Sequence, residues 1–218
     1  MLFSITNGLD YLHTLIEGYS GKPKLAHCDL KSKNILVKKN LDCCIADLGL
    51  SLRAGKDDRV EHSNISNVRF GTKRYLAPEI LNRTINVNFL NSFQKAEIYS
   101  LSLVAWELLR GTKFESQTTK ITYSYEYKLP YFEYLQNIDP DEQQMYQLVC
   151  KQKARPSIIQ FWHEHPIMSQ IAKLCTELWY ADEDPLARLS AFRIKKILTK
   201  ISNENIVEQK QNNLITTT

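Results

Sequence analysis

Residues 93 to 109 constrain the fold most. Ile98, Leu101, Val104, Ala105 and Leu108 recur at helical spacing and make a helix that is apolar over most of its circumference. Such a helix belongs in the middle of a domain, with other elements packed around it. It does not read as a membrane span, because Ser102 and Glu107 interrupt the apolar run from Leu101 to Leu109, which falls far short of the roughly 18 residues a bilayer requires.

Other elements can be read around this helix. Leu2, Ile5, Leu9, Leu12, Ile16 and Tyr19, at spacings of three and four, predict an amphipathic helix over residues 2 to 19, ended by Gly18 and Gly21-Lys22-Pro23. Runs at 34 to 38 and 42 to 46, separated by Lys39-Asn40-Leu41, predict a small β-hairpin. Residues 47 to 79 carry no sustained periodicity, and a loop that long inside a compact domain is more often functional than accidental. Three further helices are expected at about 141 to 151, 166 to 179 and 188 to 201, joined by loops at Pro156, Pro166 and Pro185. The polar stretch from Asn203 to Thr218 has no apolar face and is expected to fray.

Composition narrows the functional classes. With 28 Lys and Arg against 24 Asp and Glu, the net charge of +4 is spread without a basic stripe, so nucleic acid is not implied. The five cysteines are odd in number and Cys43-Cys44 would face opposite sides of a strand, so reduced thiols are expected rather than a disulfide framework or a metal knuckle. The start lacks a signal-peptide pattern and reads as helix from Leu2, so the chain is expected to open inside a fold. The sequons at Asn64-Ile65-Ser66 and Asn82-Arg83-Thr84 would matter only in a secreted chain.

The chemistry is concentrated in three segments: His27-Cys28-Asp29-Leu30-Lys31-Ser32-Lys33-Asn34, then Ala46-Asp47-Leu48-Gly49, then Gly71-Thr72-Lys73-Arg74-Tyr75-Leu76-Ala77-Pro78-Glu79. Each is weak alone. Their order and spacing are not: Asp29 and Asn34 lie five apart, Asp47 follows thirteen residues after Asn34, and Ala-Pro-Glu comes about thirty residues later. The set resembles the eukaryotic protein kinase signature, in which a catalytic loop, a metal-binding Asp-Phe-Gly and an Ala-Pro-Glu bracket an activation segment. The implied fold is mostly α, a protein-kinase-like C-terminal lobe with a small β-hairpin and no small lobe. Residues 1–202 would form it, with the catalytic loop at 27–34 and the activation segment at 47–79, and 203–218 would be a polar tail.

The resemblance also implies roles. Asp29 would accept or orient the proton of the substrate hydroxyl, Asn34 and Asp47 would hold Mg²⁺ (or Mn²⁺) against the phosphates of ATP, and Lys31 would neutralise the transferring phosphate. Lys31 is the residue a serine/threonine kinase keeps there, and Thr72 resembles the threonine that contacts the catalytic Asp and lysine. Glu79 would form a buried structural ion pair with Arg188. Glu97 stands where the central helix usually starts with an Asp that hydrogen-bonds the catalytic-loop backbone; it is one methylene longer, and a shift on the order of 1 Å would lower the rate roughly a hundredfold. Cys28 replaces the usual Arg of His-Arg-Asp, which removes the partner of a phosphorylated activation-segment residue and is read as a buried inert cysteine. His27 is read as structural, and Lys33 reads equally as a solvated charge or a functional one.

A closer resemblance, through Gly21-Lys22-Pro23, Asp29 to Asn40, Cys43 to Leu50, Leu129-Pro130-Tyr131, Val149 to Pro156, Glu177 to Tyr180 and Ala187 to Lys196, is to the transforming growth factor-beta superfamily receptor serine/threonine kinases of type I. It implies ATP, Smad-like protein substrates and a type II receptor kinase in a heteromeric complex. It also implies a single-pass plasma-membrane parent whose kinase segment is cytoplasmic. No Gly-rich phosphate loop and no Val-Ala-Ile-Lys strand precede the catalytic loop, so a truncated fragment with little activity of its own is expected. The rival expectation is an inactive fragment or pseudokinase acting as a binding module.

Overall fold

The computed structural model describes residues 1–19, 21–61, 71–116, 120–135, 139–179 and 184–215, with side chains described through residue 204. The sequon at Asn64 and the middle of the expected activation segment, 62–70, lie outside the described residues. The fold is mostly helical, as expected. The elements are α1 (Leu2–His13), β1 (Lys24–Ala26), β2 (Ile35–Val37), β3 (Cys43–Ile45), β4 (Leu52–Ala54), α2 (Pro78–Leu81), α3 (Leu90–Gly111), β5 (Phe114–Glu115), β6 (Thr122–Tyr123), α4 (Glu142–Tyr146), α5 (Pro166–Trp179) and α6 (Ala191–Ile215).

The apolar helix read at 93 to 109 is α3, and it occupies the centre. Ile98, Tyr99, Leu101, Leu103, Val104 and Trp106 are buried along it. It packs chiefly on α5, with α1 on another side, while α6 crosses α1. Trp106 meets Trp162 edge-on at 6.4 Å between ring centroids, a favoured aromatic geometry. None of the described helices is long and apolar enough to cross a membrane.

Among the described residues, strands occur in antiparallel pairs. The expected hairpin is β2 with β3, in the register Ile35 to Ile45, Leu36 to Cys44 and Val37 to Cys43. The expected irregular stretch after it holds a strand that periodicity did not announce: β4 pairs with β1, Lys24 to Ala54 through Ala26 to Leu52. Three-residue strands carry too few side chains to establish an alternation. The five cysteines are all free.

Two helix ends differ from the sequence expectation. The first helix stops at His13 rather than near residue 19, with Thr14 extended at φ −86° and ψ 134°. Lys22 explains the stop: its ammonium donates to the carbonyls of Leu12 (3.0 Å) and Thr14 (2.5 Å), which takes up the acceptors a further turn would have used. Ile16 then pairs backbone to backbone with Lys22, and Ile16 and Tyr19, although in helical register, are exposed. At the other end, the stretch expected to fray continues α6 to Ile215. No Gly or Pro interrupts residues 191 to 215, and Lys200 and Glu204 stand one turn apart at 3.7 Å.

One buried ion pair ties the segment before α6 to α2. Arg188, just before α6, forks onto Glu79 of α2, with Nη2 at 3.0 Å from Oε2 and Nη1 bonded to Oε1. Its Nε also donates to the Leu178 carbonyl at 3.2 Å, and the Tyr99 ring lies 5.4 Å from the guanidinium. Both side chains are buried, so removing one leaves the other without its counter-charge. Glu79→Ala is expected to lower unfolding stability by about 3 to 5 kcal/mol in urea denaturation, whereas an exposed substitution such as Glu142→Ala is expected to change it by under about 0.5 kcal/mol.

Candidate active site

The loop from His27 to Asn34 is held by buried contacts at its start. His27, fully buried, accepts from the Asp29 amide at Nδ1 (3.2 Å) and so, in the tautomer this bond assigns, donates from Nε2 to the Ala46 carbonyl (2.8 Å). That side chain joins the loop to the residue before Asp47. Cys28 adopts φ 65°, and its amide donates to Glu97 Oε1 of α3 at 2.6 Å. The longer Glu97 therefore makes the loop bond, and its second oxygen pairs with His13 Nε2 of α1 at 2.7 Å. Burial, followed by the Glu97 charge, pushes the Cys28 thiol well above its ordinary pKa, so the thiolate is suppressed and the cysteine is a poor nucleophile.

Asp29 is the centre of the cluster. Its Oδ1 accepts from the Thr72 amide (2.7 Å) and hydroxyl (2.8 Å), and its Oδ2 from Lys31 Nζ (2.7 Å) and Asn34 Nδ2 (3.2 Å). Lys31 also donates to Thr72 Oγ1 at 2.6 Å, and Asn34 Nδ2 to the Asp29 carbonyl at 2.9 Å. Burial opposes ionisation of Asp29, but the hydrogen bonds from Lys31 and Thr72 and the lysine charge outweigh it and hold the carboxyl below the usual aspartate range.

The Thr72 contact requires Gly71. A Cβ at Gly71 would fall 2.4 Å from Asp29 Oδ1 and 2.5 Å from the Cys28 carbonyl, distances no side chain tolerates, and the Gly71 amide itself donates to that carbonyl at 3.2 Å.

Asp47 lies across from Asn34. The Ala46 amide donates to the Asn34 carbonyl at 2.8 Å, and Asp47 follows with φ 65° and its carboxylate exposed. Among the described residues, Asp47 Oδ1 accepts from the Gly49 amide alone, at 3.3 Å. With Asn34 Nδ2 committed to Asp29, the Asn34 amide oxygen and the Asp47 carboxylate are the oxygen donors left at this edge. Among the described residues, no group of three or more His, Cys, Asp or Glu side chains is placed to hold a metal by itself.

Several contributors escaped the sequence reading. Glu107 of α3, 4% exposed, accepts from Tyr75 OH at 2.6 Å and Tyr127 OH at 2.5 Å, and Tyr75 OH stands 3.2 Å from Ser32 of the loop. Burial raises the Glu107 carboxyl against those donors, and burial with the Glu107 charge pushes Tyr127 up to about 12. Tyr127 falls in a tyrosine-rich stretch, Tyr123-Ser124-Tyr125-Glu126-Tyr127. His13 could have been suspected from its place one turn after Leu9 on the buried face of α1, but nothing in the sequence names Glu97 as its partner.

The mostly helical fold, with a few short strand pairs, is that of a protein kinase large lobe. Comparison agrees: the family described as protein kinase domain matches residues 1–200, and the chain belongs to that family. It is 44% identical over 204 residues to Activin receptor type-1 of Homo sapiens, covering 93% of this chain and 38% of that receptor. It is 43% identical over 205 residues to TGF-beta receptor type-1 of Rattus norvegicus, covering 94% of this chain and 39% of that receptor. The type I receptor resemblance read from the motifs is thus matched by these relatives, and the chain spans about two-fifths of their length.

The depressed Asp29 pKa has a signed consequence. The group is ionised in the folded state below its unfolded value, so its contribution to stability is present above the unfolded pKa and is lost as pH falls through the folded one. Carbon-detected titration of Asp29 is expected to give a value below about 3.9, and Lys31→Met is expected to raise it measurably.

Proposed function

We propose that this chain is the large lobe of a receptor serine/threonine kinase that transfers the γ-phosphate of ATP to a protein hydroxyl. The observation that carries the reading is the four-donor clamp on Asp29, which aims one carboxylate at a place bounded by Lys31, Asn34 and Thr72. In the reaction the acceptor oxygen bonds to the γ-phosphorus, the bond from that phosphorus to the bridging oxygen breaks, ADP departs, and the hydroxyl proton passes to Asp29. The low Asp29 pKa fits a group that orients the hydroxyl and takes the proton late, when the acceptor is already losing it. Lys31, hydrogen-bonded to both Asp29 and Thr72, supplies positive charge beside the transferring group and fixes the carboxylate rotamer.

Asn34 and Asp47 fit Mg²⁺ by the chemistry of their donors: hard oxygens, few in number, suited to an ion that keeps waters and takes the rest of its shell from phosphates. When bound, the ion would neutralise phosphate charge. Glu97 and His13 position rather than react, holding the Cys28 amide from two helices. Thr72 positions the acceptor end, and Glu79 with Arg188 anchors the segment leading to it. By likeness to the relatives, the substrate is a Smad-like signalling protein and the working assembly includes a type II receptor kinase. The parent is a plasma-membrane receptor with this part on the cytoplasmic side.

In a polypeptide that joins a nucleotide-covering lobe ahead of these residues, Asp29→Asn is expected to lower phosphate incorporation into a serine peptide by about 10²- to 10⁴-fold with little change in peptide KM. Equal rates would remove Asp29 from its role.

A further inference from the structure

The stretch that leaves β4 is fastened at a second place, away from Thr72. It first turns back on itself: the Glu61 amide donates to the Arg53 carbonyl at 3.0 Å, and Val60 bridges to Ala54. It also runs along the residues that enter α3, with the Val60 amide donating to the Asn88 carbonyl at 3.0 Å and Arg59 bridging to Phe89. Val60, 2% exposed, closes a small apolar core of its own with Ala26, Ala54, Leu90 and Phe93, and Cys28 and Leu52 pack against it.

Among these contacts stands Asp58, half-buried and at φ 60°, a left-handed conformation that aspartate tolerates better than most residues. The start of α3 depends on it. A helix start leaves amides without partners, and Phe89 at the N-cap has no side-chain acceptor to offer them. Asp58 supplies the acceptors from another part of the chain: its carbonyl takes the Leu90 amide at 2.9 Å, and its Oδ2 takes the Asn91 amide at 3.0 Å. Its Oδ1 accepts from the Lys24 ammonium of β1 at 3.0 Å. One carboxylate thus joins the segment to the strand that leads into the catalytic loop and to the helix whose Glu97 holds that loop. An anion set between a cation and a helix N-terminus is also how a phosphate orders a loop. At position 28, where the kinase motif carries the arginine that meets such a phosphate, the cysteine side chain instead packs on the Val60 core.

We infer that Asp58 is a positioning residue of the transfer reaction, the resident anion that holds the activation segment to β1 and α3 without phosphorylation of that segment. The inference rests on the kinase reading and adds the regulation of its site: a segment held by its own carboxylate and apolar core needs no phosphate partner at Cys28. Asp58 acts through the segment and α3 rather than on the reacting atoms. Its loss therefore misplaces groups around Asp29 and lowers kcat, with peptide binding little changed.

The test has two arms. In the 218-residue chain, Asp58→Ala is expected to speed amide exchange at Asn91 by about tenfold or more while amides in the middle of α3 keep their protection. Asp58→Asn, whose side-chain oxygen still caps, is expected to leave the Asn91 amide near its native rate. In the lobe-completed polypeptide, Asp58→Ala is expected to lower kcat about tenfold with peptide KM within about twofold, and Asp58→Asn to restore most of the loss. Ile194→Val, a buried substitution in α6 of comparable cost to stability, is expected to leave kcat within about twofold. The same is expected of the double variant Ser63→Ala and Ser66→Ala, which removes the serines between Asp58 and Gly71. Native exchange at Asn91 in Asp58→Ala, an equal fall of kcat in Ile194→Val, or turnover lost with the two serines overturns the inference. Native kcat in Asp58→Ala with Asp29-dependent turnover overturns the positioning role alone. Asp29-independent turnover overturns the kinase reading, and the exchange arm still decides whether Asp58 fastens the segment.

Discussion

The site depends on a single carboxylate meeting donors from two segments far apart in sequence. Asp29 lies on the loop after β1, and Thr72 lies at the far end of the stretch that leaves β4, yet the Thr72 amide and hydroxyl both close on Asp29 Oδ1. Charge-assisted hydrogen bonds of this kind are roughly twice as strong as neutral ones. Such bonds form only where the backbone can approach, and here the approach is possible because Gly71 has no Cβ. The same contact places Thr72 Oγ1 within reach of Lys31 Nζ.

The buried helix α3 sets where that contact can occur. Glu97, Ser100 and Glu107 form a polar strip on a largely apolar helix, and each bonds a residue of the site or its surroundings. Glu97 holds the Cys28 amide, Ser100 donates to the Tyr75 carbonyl at 2.8 Å, and Glu107 gathers Tyr75 and Tyr127. Buried polar groups are tolerated only when satisfied, so each of these side chains fixes a particular neighbour. The core and the site therefore share one element: what makes α3 central to packing also makes it rigid enough to hold a loop. The substitution of Glu for the Asp usual at position 97 is accommodated because the longer carboxylate reaches both the loop amide and His13.

Asp29, Lys31, Asn34 and Asp47 were nameable in the sequence through their resemblance to an ordered kinase motif, and the structure brings Asp29, Lys31 and Asn34 into direct hydrogen-bond contact. The central helix was legible from its all-round apolarity. What stayed hidden depends on partners chosen in three dimensions. The end of α1 is set by Lys22, whose ammonium caps a helix eight residues behind it. The pairing of β1 with β4 uses three residues a side, too few to leave a pattern. The extension of α6 contradicts an argument from missing amphipathicity, since a helix already nucleated on the core can continue through residues that merely lack a breaker. Glu107 read as an interruption of an apolar run, and its two tyrosine partners turn that interruption into an anchor.

The central claim is that the Asp29 carboxylate itself pins the returning segment to the catalytic loop. Amide hydrogen exchange at Thr72 measures this directly, because that N–H donates to Asp29 Oδ1. In Asp29→Ala the Thr72 amide is expected to exchange roughly 10- to 100-fold faster than in the native chain while amides in the middle of α3 keep their protection. Unchanged protection at Thr72 would show that the segment is held by something else and would contradict the account.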